Sequence, residues 1–430
     1  MKNIVVAGCG HGGLVAAGLL SKAGYNVNVY EQKTKENLPY DWTDIFDIRA
    51  LTFAGLELPP TEKYSPKEPM TLISPSKSCI LQTEIPPELM EMKMERRDIY
   101  DHLLDFATNS GVKIHFGTKI TAPLIKEGKV CGIVCDDKEI PADLVIDACG
   151  LNSTVRRSLP EHYNIVKDFG DYEKFYVYRA FYDRKDEKSD YAYKVYLFHQ
   201  EAGISWVADE KKYVDILIGR LKPLTQEEID IAVEDLRQDN PCLGDKVIRG
   251  GQLVSISIRK PIPLFVGDNY AAIGDSAGMT IPLIGSGIAN CLEAAKILAD
   301  TVISANGKCN IENLWPYQSG YMRRKADNAS IDVLKNRLLR FSKELIDFAF
   351  DKKVISESDI SAAVAGQDIK LTLKEILQKA YRGKRHLPLL ISFAATMNSS
   401  KKLADHVKAI PAEYDKKNVL AWIDKYNKFK

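Results

Sequence analysis

The sequence predicts a mixed α/β fold. An open parallel-sheet domain is interrupted by an antiparallel β domain and followed by a helical C-terminal region. Three observations support this prediction. The chain opens with a strand–glycine loop–helix–strand unit, its middle alternates aromatic and polar residues, and its end is Lys-rich with helical periodicity. We expect the parallel-sheet domain at 1–160 and 266–305, the β domain at 161–265 and the helical region at 306–430.

Composition is that of an ordinary globular protein with a full core. The chain has 430 residues, of which 45% are hydrophobic and 27% charged. Its formal net charge of +1 gives no broad field that would attract nucleic acid, so we expect no nucleic-acid partner. The eight cysteines show no pairing pattern, which is typical of reduced thiols. No apolar run is long enough to span a membrane. We therefore expect a cytoplasmic protein without a transmembrane segment.

The N-terminal stretch is typical of a Rossmann-like βαβ unit. NIVVAG is a β-branched apolar strand, GGLVAAGLLSKAGY is a helix that ends near Gly24, and NVNVYEQ is a second strand. The glycines Gly8, Gly10 and Gly13 form a G-x-G-x-x-G pattern between the first strand and the helix. Glu31 ends the second strand. This context predicts dinucleotide binding, and the alternative is a glycine-rich turn in another α/β protein.

Each residue type of this unit suits a nucleotide. Gly8 permits a tight turn, Gly10 allows backbone to approach a pyrophosphate, and Gly13 allows the helix to pack closely on the sheet. The helix N-terminus offers unpaired N–H groups to the phosphates. Glu31 can accept hydrogen bonds from two ribose hydroxyls, and its charge disfavours a 2′-phosphate, so NADP is not expected here. The predicted binding residues of this unit are Gly8, Gly10, His11, Gly12, Gly13, Glu31 and Gln32.

The next part of the chain is less regular. The stretch 34–95 lacks clean periodicity and is predicted to form loops and short strands over the first domain. A helix begins at Arg96, and a β-hairpin that holds Cys131 and Cys135 follows. These cysteines could form a redox or metal pair, or be two small residues on a strand. The second interpretation is favoured because no second ligand pair lies nearby, and no metal site is predicted.

Residues 161–265 change character. KFYVYRAFYD, YAYKVYLFHQ, GISWVADEKKYVDILIGRL and GGQLVSISIRKPIP predict antiparallel sheet with one face solvated or lining a cavity, and TQEEIDIAVEDLRQD predicts an amphipathic helix. NYAAIGDSAG then returns to a strand and glycine loop before a helix. The charge runs of the C-terminal region are interpreted as solvated helix faces. Its most apolar stretch, HLPLLISFAATM, could dock on the protein body or on a membrane surface, and the body is favoured.

Three separated stretches resemble one superfamily of flavoproteins. They are the glycine pattern at the N-terminus, ADLVIDACGLNSTVRR (Ala142–Arg157) and AAIGDSAGMTIPLIGSGIANCLEAA (Ala271–Ala295). Together they resemble the FAD-dependent p-hydroxybenzoate hydroxylase superfamily. Within it they are most similar to the geranylgeranyl reductases, which include the digeranylgeranylglycerophospholipid reductases. The resemblance covers roughly residues 1–305. It implies a Rossmann-like FAD-binding domain of the glutathione-reductase type, with an inserted antiparallel β substrate domain.

The resemblance implies FAD as the cofactor and extends the set of binding residues. The glycine loop would hold the pyrophosphate, and Glu31 the adenosine ribose. Arg97 in RDIYDHL matches an R-x-x-F/Y-D pattern whose arginine lies near the FAD phosphate and ribityl chain. Asp275 in IGDSAG would accept a hydrogen bond from a ribityl hydroxyl, and Gly274 would allow close approach. The segment PLIGSG would pass beside the isoalloxazine ring, where the helix N-terminus stabilises negative charge; it contributes Pro282, Gly285, Ser286 and Gly287.

Two departures from the family pattern bear on the reaction. Cys149-Gly150 replaces the Asp-Gly pair that is linked to FAD and NAD(P)H handling in the hydroxylases, which argues against direct NAD(P)H-dependent hydroxylation. Cys149 is interpreted as a small core residue rather than a reactive thiol. Trp206 falls where the reductases carry an aromatic Y-x-W-x-F-P element that lines the substrate tunnel, and only the tryptophan matches. The alternative is that Trp206 packs inside the β domain.

The resemblance implies reduction of C=C bonds in an isoprenoid or other apolar, lipid-like substrate, with hydride from reduced flavin N5. The electron donor is left open between NAD(P)H and a ferredoxin-like electron-transfer protein. Peripheral membrane contact is compatible with such a substrate. One alternative is an FAD-dependent monooxygenase that acts through a flavin hydroperoxide. Weaker alternatives are a flavin halogenase, whose W-x-W-x-I-P element is absent from the sequence, and a non-catalytic or sensor flavoprotein.

Overall fold

The computed structural model describes residues 2–83, 91–364, 367, 369 and 371–429. The strands are β1 (Asn3–Ala7), β2 (Asn26–Tyr30), β3 (Thr43–Phe46), β4 (Tyr64–Pro66), β5 (Thr71–Ile73), β6 (Ile80–Gln82), β7 (Met92–Glu95), β8 (Lys113–His115), β9 (Ile120–Lys126), β10 (Lys129–Cys135), β11 (Lys138–Pro141), β12 (Leu144–Asp147), β13 (Lys174–Arg184), β14 (Tyr193–Leu197), β15 (Gly203–Asp209), β16 (Tyr213–Arg220), β17 (Leu243–Ser257), β18 (Val266–Gly267) and β19 (Tyr270–Ala272).

Helices cover the faces of the sheets and dominate the C-terminal third. They are α1 (His11–Lys22), α2 (Arg49–Phe53), α3 (Arg96–Asn109), α4 (Thr154–Arg157), α5 (Gln226–Asp239), α6 (Ile288–Ser304), α7 (Ile311–Arg324), α8 (Ala326–Leu338), α9 (Lys343–Asp351), α10 (Glu357–Val364), α11 (Leu373–Arg382), α12 (Leu387–Lys408) and α13 (Lys416–Tyr426).

The first sheet confirms the predicted α/β fold. Its strand order is β18-β19-β12-β1-β2-β8, and every pairing in it is parallel except that of β18 with β19. The central strand β1 buries Val5 and Val6, because helix α1 and strand β10 of a separate sheet both pack against it. Helix α1 packs between α3 and α6. Cys131 and Cys135 both lie on β10, where Cys135 is buried.

The second sheet has the order β17-β13-β16-β15-β14-β5-β6. Its pairings are antiparallel except where β5 runs parallel to β14. The strands β5 and β6 come from the stretch 34–95, which we expected over the first domain. Three-residue strands carry too little periodicity to reveal their sheet, and here Leu72 and Leu81 are buried in a core shared with β14. The domain boundaries at 160, 265 and 305 stay predictions.

The C-terminal helices pack against both sheets. Helix α12 runs along α8, and α13 buries Tyr426, whose hydroxyl donates to the Pro261 carbonyl oxygen at 2.7 Å. The stretch HLPLLISFAATM begins α12, with Leu389 buried and Leu387 and Ile391 exposed. None of the helices in the described ranges is long and apolar enough to cross a membrane.

A buried carboxylate connects the end of β12 to its neighbours. Asp147 is fully buried, and its Oδ2 accepts hydrogen bonds from Ser153 Oγ at 2.5 Å and from the Tyr270 hydroxyl at 2.8 Å. Its Oδ1 accepts from Cys149 N and Ser276 Oγ, both at 3.1 Å. The donors belong to the loop after β12, the cap of α4, strand β19 and the turn after β19. One side chain therefore holds four segments together.

We expect Asp147→Ala to lower the free energy of unfolding by about 3 kcal/mol or more, because each buried donor left without an acceptor costs about 1–3 kcal/mol. Urea unfolding of the full chain measures this change. The control is Asp143→Ala, whose exposed carboxylate binds Lys2 and the Asn3 N–H, and we expect a loss within about 1 kcal/mol. Equal losses in the two variants would contradict the role given to Asp147.

Candidate functional site

The carboxyl ends of β1, β2 and β12 open into a cavity of about 400 Å³, which we call the sheet-edge cavity. Helix α1 begins at one side of it and α6 at another. Ligands of open parallel sheets bind at this edge, where the strands end and the helices begin. Most of the residues predicted from sequence line the cavity: Gly8, Gly10, His11, Gly12, Gly13, Glu31, Gln32, Gly274, Asp275, Gly285 and Gly287.

The glycine loop is tightly packed as well as open to the cavity. Gly8 has a φ of +87°, a conformation that side chains disfavour. A Cβ on Gly10 would lie 2.9 Å from the Ala148 carbonyl oxygen, and one on Gly13 would lie 2.6 Å from the Ala148 Cβ. A Cβ on Gly12 would lie 2.8 Å from the Cys291 carbonyl oxygen of α6. The loop therefore needs glycine to pack α1 against β12 and α6, in addition to any need of a ligand.

Both helices that point into the sheet-edge cavity begin without a side-chain cap. Gly10 precedes α1 and Gly287 precedes α6, and neither helix has an acidic residue in its first turn. By contrast, Thr225 caps α5 and Asn310 caps α7 through side-chain oxygens. The first N–H groups of α1 and α6 thus keep their hydrogen-bonding capacity and a positive dipole end for an anionic ligand.

Glu31 lies at the wall of the sheet-edge cavity with only 8% of its surface exposed. Its Oε2 accepts a hydrogen bond from Cys9 N and its Oε1 from Lys33 N, both at 2.9 Å. These two backbone donors fix the carboxylate in place. Each oxygen has a further lone pair, so Glu31 can still accept hydrogen bonds from ligand hydroxyls.

Asp275 follows the strand β19 and lines the same cavity beside the start of α6. Burial raises the pKa of this carboxyl to about 6, although Arg96 and Arg156 act in the opposite direction. A Cβ on Gly287 would lie 3.5 Å from Asp275 Oδ1, so the missing side chain leaves room at the carboxylate. A hydroxyl donor from a ligand would stabilise the charged form of Asp275.

Arg97 does not line the sheet-edge cavity, and its role at FAD stays a prediction. This side chain is exposed and donates to the Glu36 carbonyl oxygen at 2.7 Å, outside the cavity wall. Its neighbour Arg96 lines the cavity instead and forms a two-pronged ion pair with Asp44, at 2.5 and 2.6 Å. Successive helical residues point about 100° apart. The motif therefore lies on the turn of α3 that reaches the cavity, and Arg96 is the arginine of the pair that lines it.

His11 is a half-buried side chain with one ring nitrogen that lacks a partner among the described residues. Its Nε2 is buried and has no hydrogen-bond partner among the described residues, and its ring centroid lies 4.5 Å from that of Tyr100. Burial lowers the pKa of His11 to about 4, so the imidazole is neutral at pH 7. Sequence analysis did not assign Tyr100 to the site, although the aromatic position of the R-x-x-F/Y-D pattern was the available signal.

A second, apolar cavity of about 290 Å³ lies between the seven-stranded sheet and the helices α8–α10. It meets the sheet-edge cavity at Arg96, Ile256 and Gly285, which line both. Ser286 lines the apolar cavity, whereas Pro282 lies outside the walls of both cavities, which differs from the prediction that it lies beside the flavin ring.

Trp206 lies in the wall of the apolar cavity. Its ring centroid is 5.8 Å from that of Tyr193, in an edge-on arrangement, and 5.2 Å from the guanidinium carbon of Arg179. The other lining residues are mostly aliphatic or aromatic and come from the sheet and from the helices; they include Val177, Val195, Leu217, Leu338, Ile346 and Phe350. The cavity is therefore suited to an apolar ligand.

Comparisons with known proteins agree with this geometry. The FAD binding domain family matches residues 1–242. A digeranylgeranylglycerophospholipid reductase from Sulfolobus acidocaldarius is 24% identical over 319 residues, 70% of this chain and 70% of that protein. A solved geranylgeranyl bacteriochlorophyll reductase-like protein from Thermoplasma acidophilum has a TM-score of 0.70 at 19% identity, covering 92% of this chain and 99% of that chain. PqsL, a probable FAD-dependent monooxygenase from Pseudomonas aeruginosa, has a TM-score of 0.60 at 19% identity, covering 81% and 99%.

The sheet-edge cavity fits FAD. Its two uncapped helix starts suit the phosphates and the electron-rich edge of the flavin, and the unpartnered His11 Nε2 leaves a polar position for a ligand. The likeness to solved structures establishes the fold, and the family match extends over more than half of the sequence. The chain therefore belongs to the FAD binding domain family and is an FAD-dependent oxidoreductase.

Proposed function

We propose that the protein reduces carbon–carbon double bonds of an isoprenoid or other apolar substrate. The single observation that carries this proposal is the contact between the two cavities. Ile256 and Gly285 line both, so a substrate in the apolar cavity can lie against one end of a cofactor in the sheet-edge cavity. FAD, when bound, supplies the hydride. The Sulfolobus acidocaldarius relative, named as a reductase of a geranylgeranylated lipid, supports the same substrate class.

The charged groups around the apolar cavity are paired, which favours an apolar substrate. Arg96 pairs with Asp44, and Lys67 pairs with Glu91 at 2.6 Å, both in half-buried or buried positions. Burial would raise the pKa of Asp44, but the Arg96 guanidinium outweighs that effect and holds it below its ordinary value. Asp44 therefore stays ionised at neutral pH and has no proton to donate. For this reason we propose water as the proton source for the substrate carbon.

Cys149 supports reduction over hydroxylation in this proposal. It lines the sheet-edge cavity where the hydroxylase pattern has an aspartate. Burial, with Asp147 beside it, raises the pKa of the Cys149 thiol, so it stays neutral at pH 7. A neutral thiol offers neither the charge nor the two strong acceptor oxygens of a carboxylate. Cys149 therefore does not provide the carboxylate that the resemblance links to NAD(P)H handling.

We further propose a role for each polar group of the cofactor site. Glu31 accepts hydrogen bonds from the adenosine ribose, the N–H groups at the start of α1 bind the pyrophosphate, and Asp275 accepts from a ribityl hydroxyl. The N–H groups at the start of α6 would stabilise negative charge on the flavin if FAD is bound there. Arg96, at the junction of the cavities, adds a positive charge near the same end.

We expect Asp275→Asn to weaken FAD binding roughly ten- to a hundredfold at pH 8, because a charge-assisted hydrogen bond of about 1.5–3 kcal/mol is lost. Wild-type affinity should fall as pH drops below about 6, since the carboxyl then binds a proton that FAD must displace. The variant should lack this pH dependence. Fluorescence titration of the apoprotein with FAD from pH 5 to 8 measures both effects.

Cys149→Ala is the matched control, because Cys149 lines the same cavity and is assigned no bond to FAD. We expect it to keep wild-type affinity within about threefold, which is less than 1 kcal/mol. An Asp275→Asn protein that binds FAD as tightly as wild type at pH 8 would rule out the assigned hydrogen bond.

The neighbouring arginines provide a second test of the site. We expect Arg96→Gln to weaken FAD binding at least tenfold, because it removes the positive charge at the cavity wall, whereas Arg97→Gln should change affinity by less than about threefold. The same titration measures both variants, and thermal melting of each apoprotein checks that the unpaired Asp44 has not unfolded it. If Arg97→Gln weakens FAD binding more than Arg96→Gln does, the sequence-based assignment of Arg97 to the FAD site is supported instead.

The reaction itself is expected to proceed without oxygen. A reductase needs reduced FAD, an alkene and a proton, whereas a hydroxylase also needs O₂. The enzyme is reduced with dithionite under anaerobic conditions, which replaces the natural electron donor, and is then mixed with polyprenyl substrates. We expect flavin reoxidation and a product that gains two hydrogens per reduced bond. Reoxidation that requires O₂, with a product that gains one oxygen atom, would contradict the reductase proposal and support the monooxygenase alternative.

A further inference from the structure

Helix α11 turns its apolar side away from the protein. Leu373, Leu377 and Tyr381 are 73%, 62% and 70% exposed, and Ile376 is 49% exposed. Their spacing places all four on one face of the helix. Single exposed apolar residues are ordinary on soluble proteins, but a continuous apolar helix face in contact with water indicates an interaction surface.

A buried ion pair fixes α11 in this orientation. Lys379, on the opposite side of the helix, is buried and binds the Asp359 carboxylate of α10. Its Nζ also donates to the Val354 carbonyl oxygen at 3.0 Å and to Ser356 Oγ at 3.2 Å. Rotating the helix to hide its apolar face would leave Asp359 buried without its partner, which is costly. The outward apolar face is therefore part of the fold.

The start of α12, which is joined to α11 through residues 383–386, carries two more exposed apolar residues. Leu387 and Ile391 are 59% and 64% exposed, while Leu389 between them is buried against the protein. We call the combined surface the α11–α12 patch; its apolar residues are Leu373, Ile376, Leu377, Tyr381, Leu387 and Ile391.

Exposed basic residues surround the α11–α12 patch. Lys374, Arg382, Lys384 and Arg385 are all exposed, and the Lys384 ammonium lies 4.2 Å from the centroid of the Tyr381 ring. Glu375 is the one acidic residue in the sequence 371–391, and its carboxylate already accepts from the capping Thr372. The patch is thus strongly basic on a chain whose formal net charge is only +1.

We infer that the α11–α12 patch docks on the surface of an anionic lipid bilayer. An amphipathic helix with leucines on one side and lysines and arginines at its edges binds in the interfacial region, where lipid tails accept the apolar face and headgroups attract the cations. A second copy of this chain is a poorer occupant. A two-fold contact would bring the basic rims of the two patches together.

The position of the patch relates docking to the proposed substrate. Ile355 and Ile360 line the apolar cavity, and the segment that contains them is the one held by Lys379. A bilayer under α11 would thus contact the outer side of the helical wall of that cavity. This step rests on the proposed function, because it assumes that the cavity binds a lipid-like molecule; the docking inference does not.

Co-sedimentation of the FAD-loaded protein with vesicles tests the docking without any turnover. We expect binding to mixed phosphatidylglycerol–phosphatidylcholine vesicles that weakens with salt and is much lower on phosphatidylcholine alone. Leu373→Glu combined with Leu377→Glu should reduce the partition coefficient roughly tenfold or more. Arg382→Glu combined with Arg385→Glu should reduce it on anionic vesicles. Ile231→Glu is the matched control, an exposed apolar residue on α5, and should bind like wild type.

Wild-type protein that stays in the supernatant, or a Leu373→Glu/Leu377→Glu variant that sediments like wild type, would overturn the inference. A third outcome would also overturn it: the wild-type protein is a dimer that does not bind vesicles, and the Leu373→Glu/Leu377→Glu variant is a monomer. A second copy of the chain would then cover the patch. The FAD content and melting temperature of each variant confirm its fold. Turnover of detergent-dispersed substrate is measured separately, so a failure of docking and a failure of the proposed reaction are distinguished.

Discussion

A fully buried carboxylate at the end of β12 is the constraint on which the cofactor site depends. Asp147 accepts hydrogen bonds from four donors, and these bonds offset the cost of burying a carboxyl group in the core. Ser276, one of these donors, also accepts from the Gly150 N–H at 2.9 Å. The network therefore holds the loop after β12 against the turn after β19. As a result, Cys149 and Asp275, which lie on those two segments, both line the sheet-edge cavity.

A similar principle operates in the wall of the apolar cavity. Arg179 is buried beside the apolar cavity, yet its guanidinium binds Asp215 at 2.9 and 2.5 Å and donates to the Thr43 carbonyl oxygen. Trp42 and Trp206 pack over the same guanidinium. The positive charge is thus neutralised by a carboxylate and covered by aromatic rings. A fixed charge can therefore lie in the wall of this cavity while the lining stays mainly apolar.

The sequence was sufficient to predict the βαβ unit and most of the sheet-edge cavity, because the roles of the glycines are local. Gly8 and Gly13 are required by backbone conformation and by contact with the adjacent strand, and both leave a pattern in the sequence. Arg96 was missed because the choice between two adjacent arginines depends on how α3 is rotated about its axis. Packing against the rest of the protein sets that rotation. The three-residue strand β5 joined an unexpected sheet for a related reason, since its pairing with β14 is long-range.

The C-terminal region illustrates the limit of periodicity most clearly. The spacing of Leu373 and Leu377 identifies an apolar helix face, and the usual assumption is that such a face is buried. In α11 the ion pair between Lys379 and Asp359 is buried instead. The apolar face of the helix therefore points into water. A buried ion pair contributes little net stability compared with apolar packing. An apolar face held in water above a buried ion pair is the arrangement that the docking surface inferred for the α11–α12 patch requires.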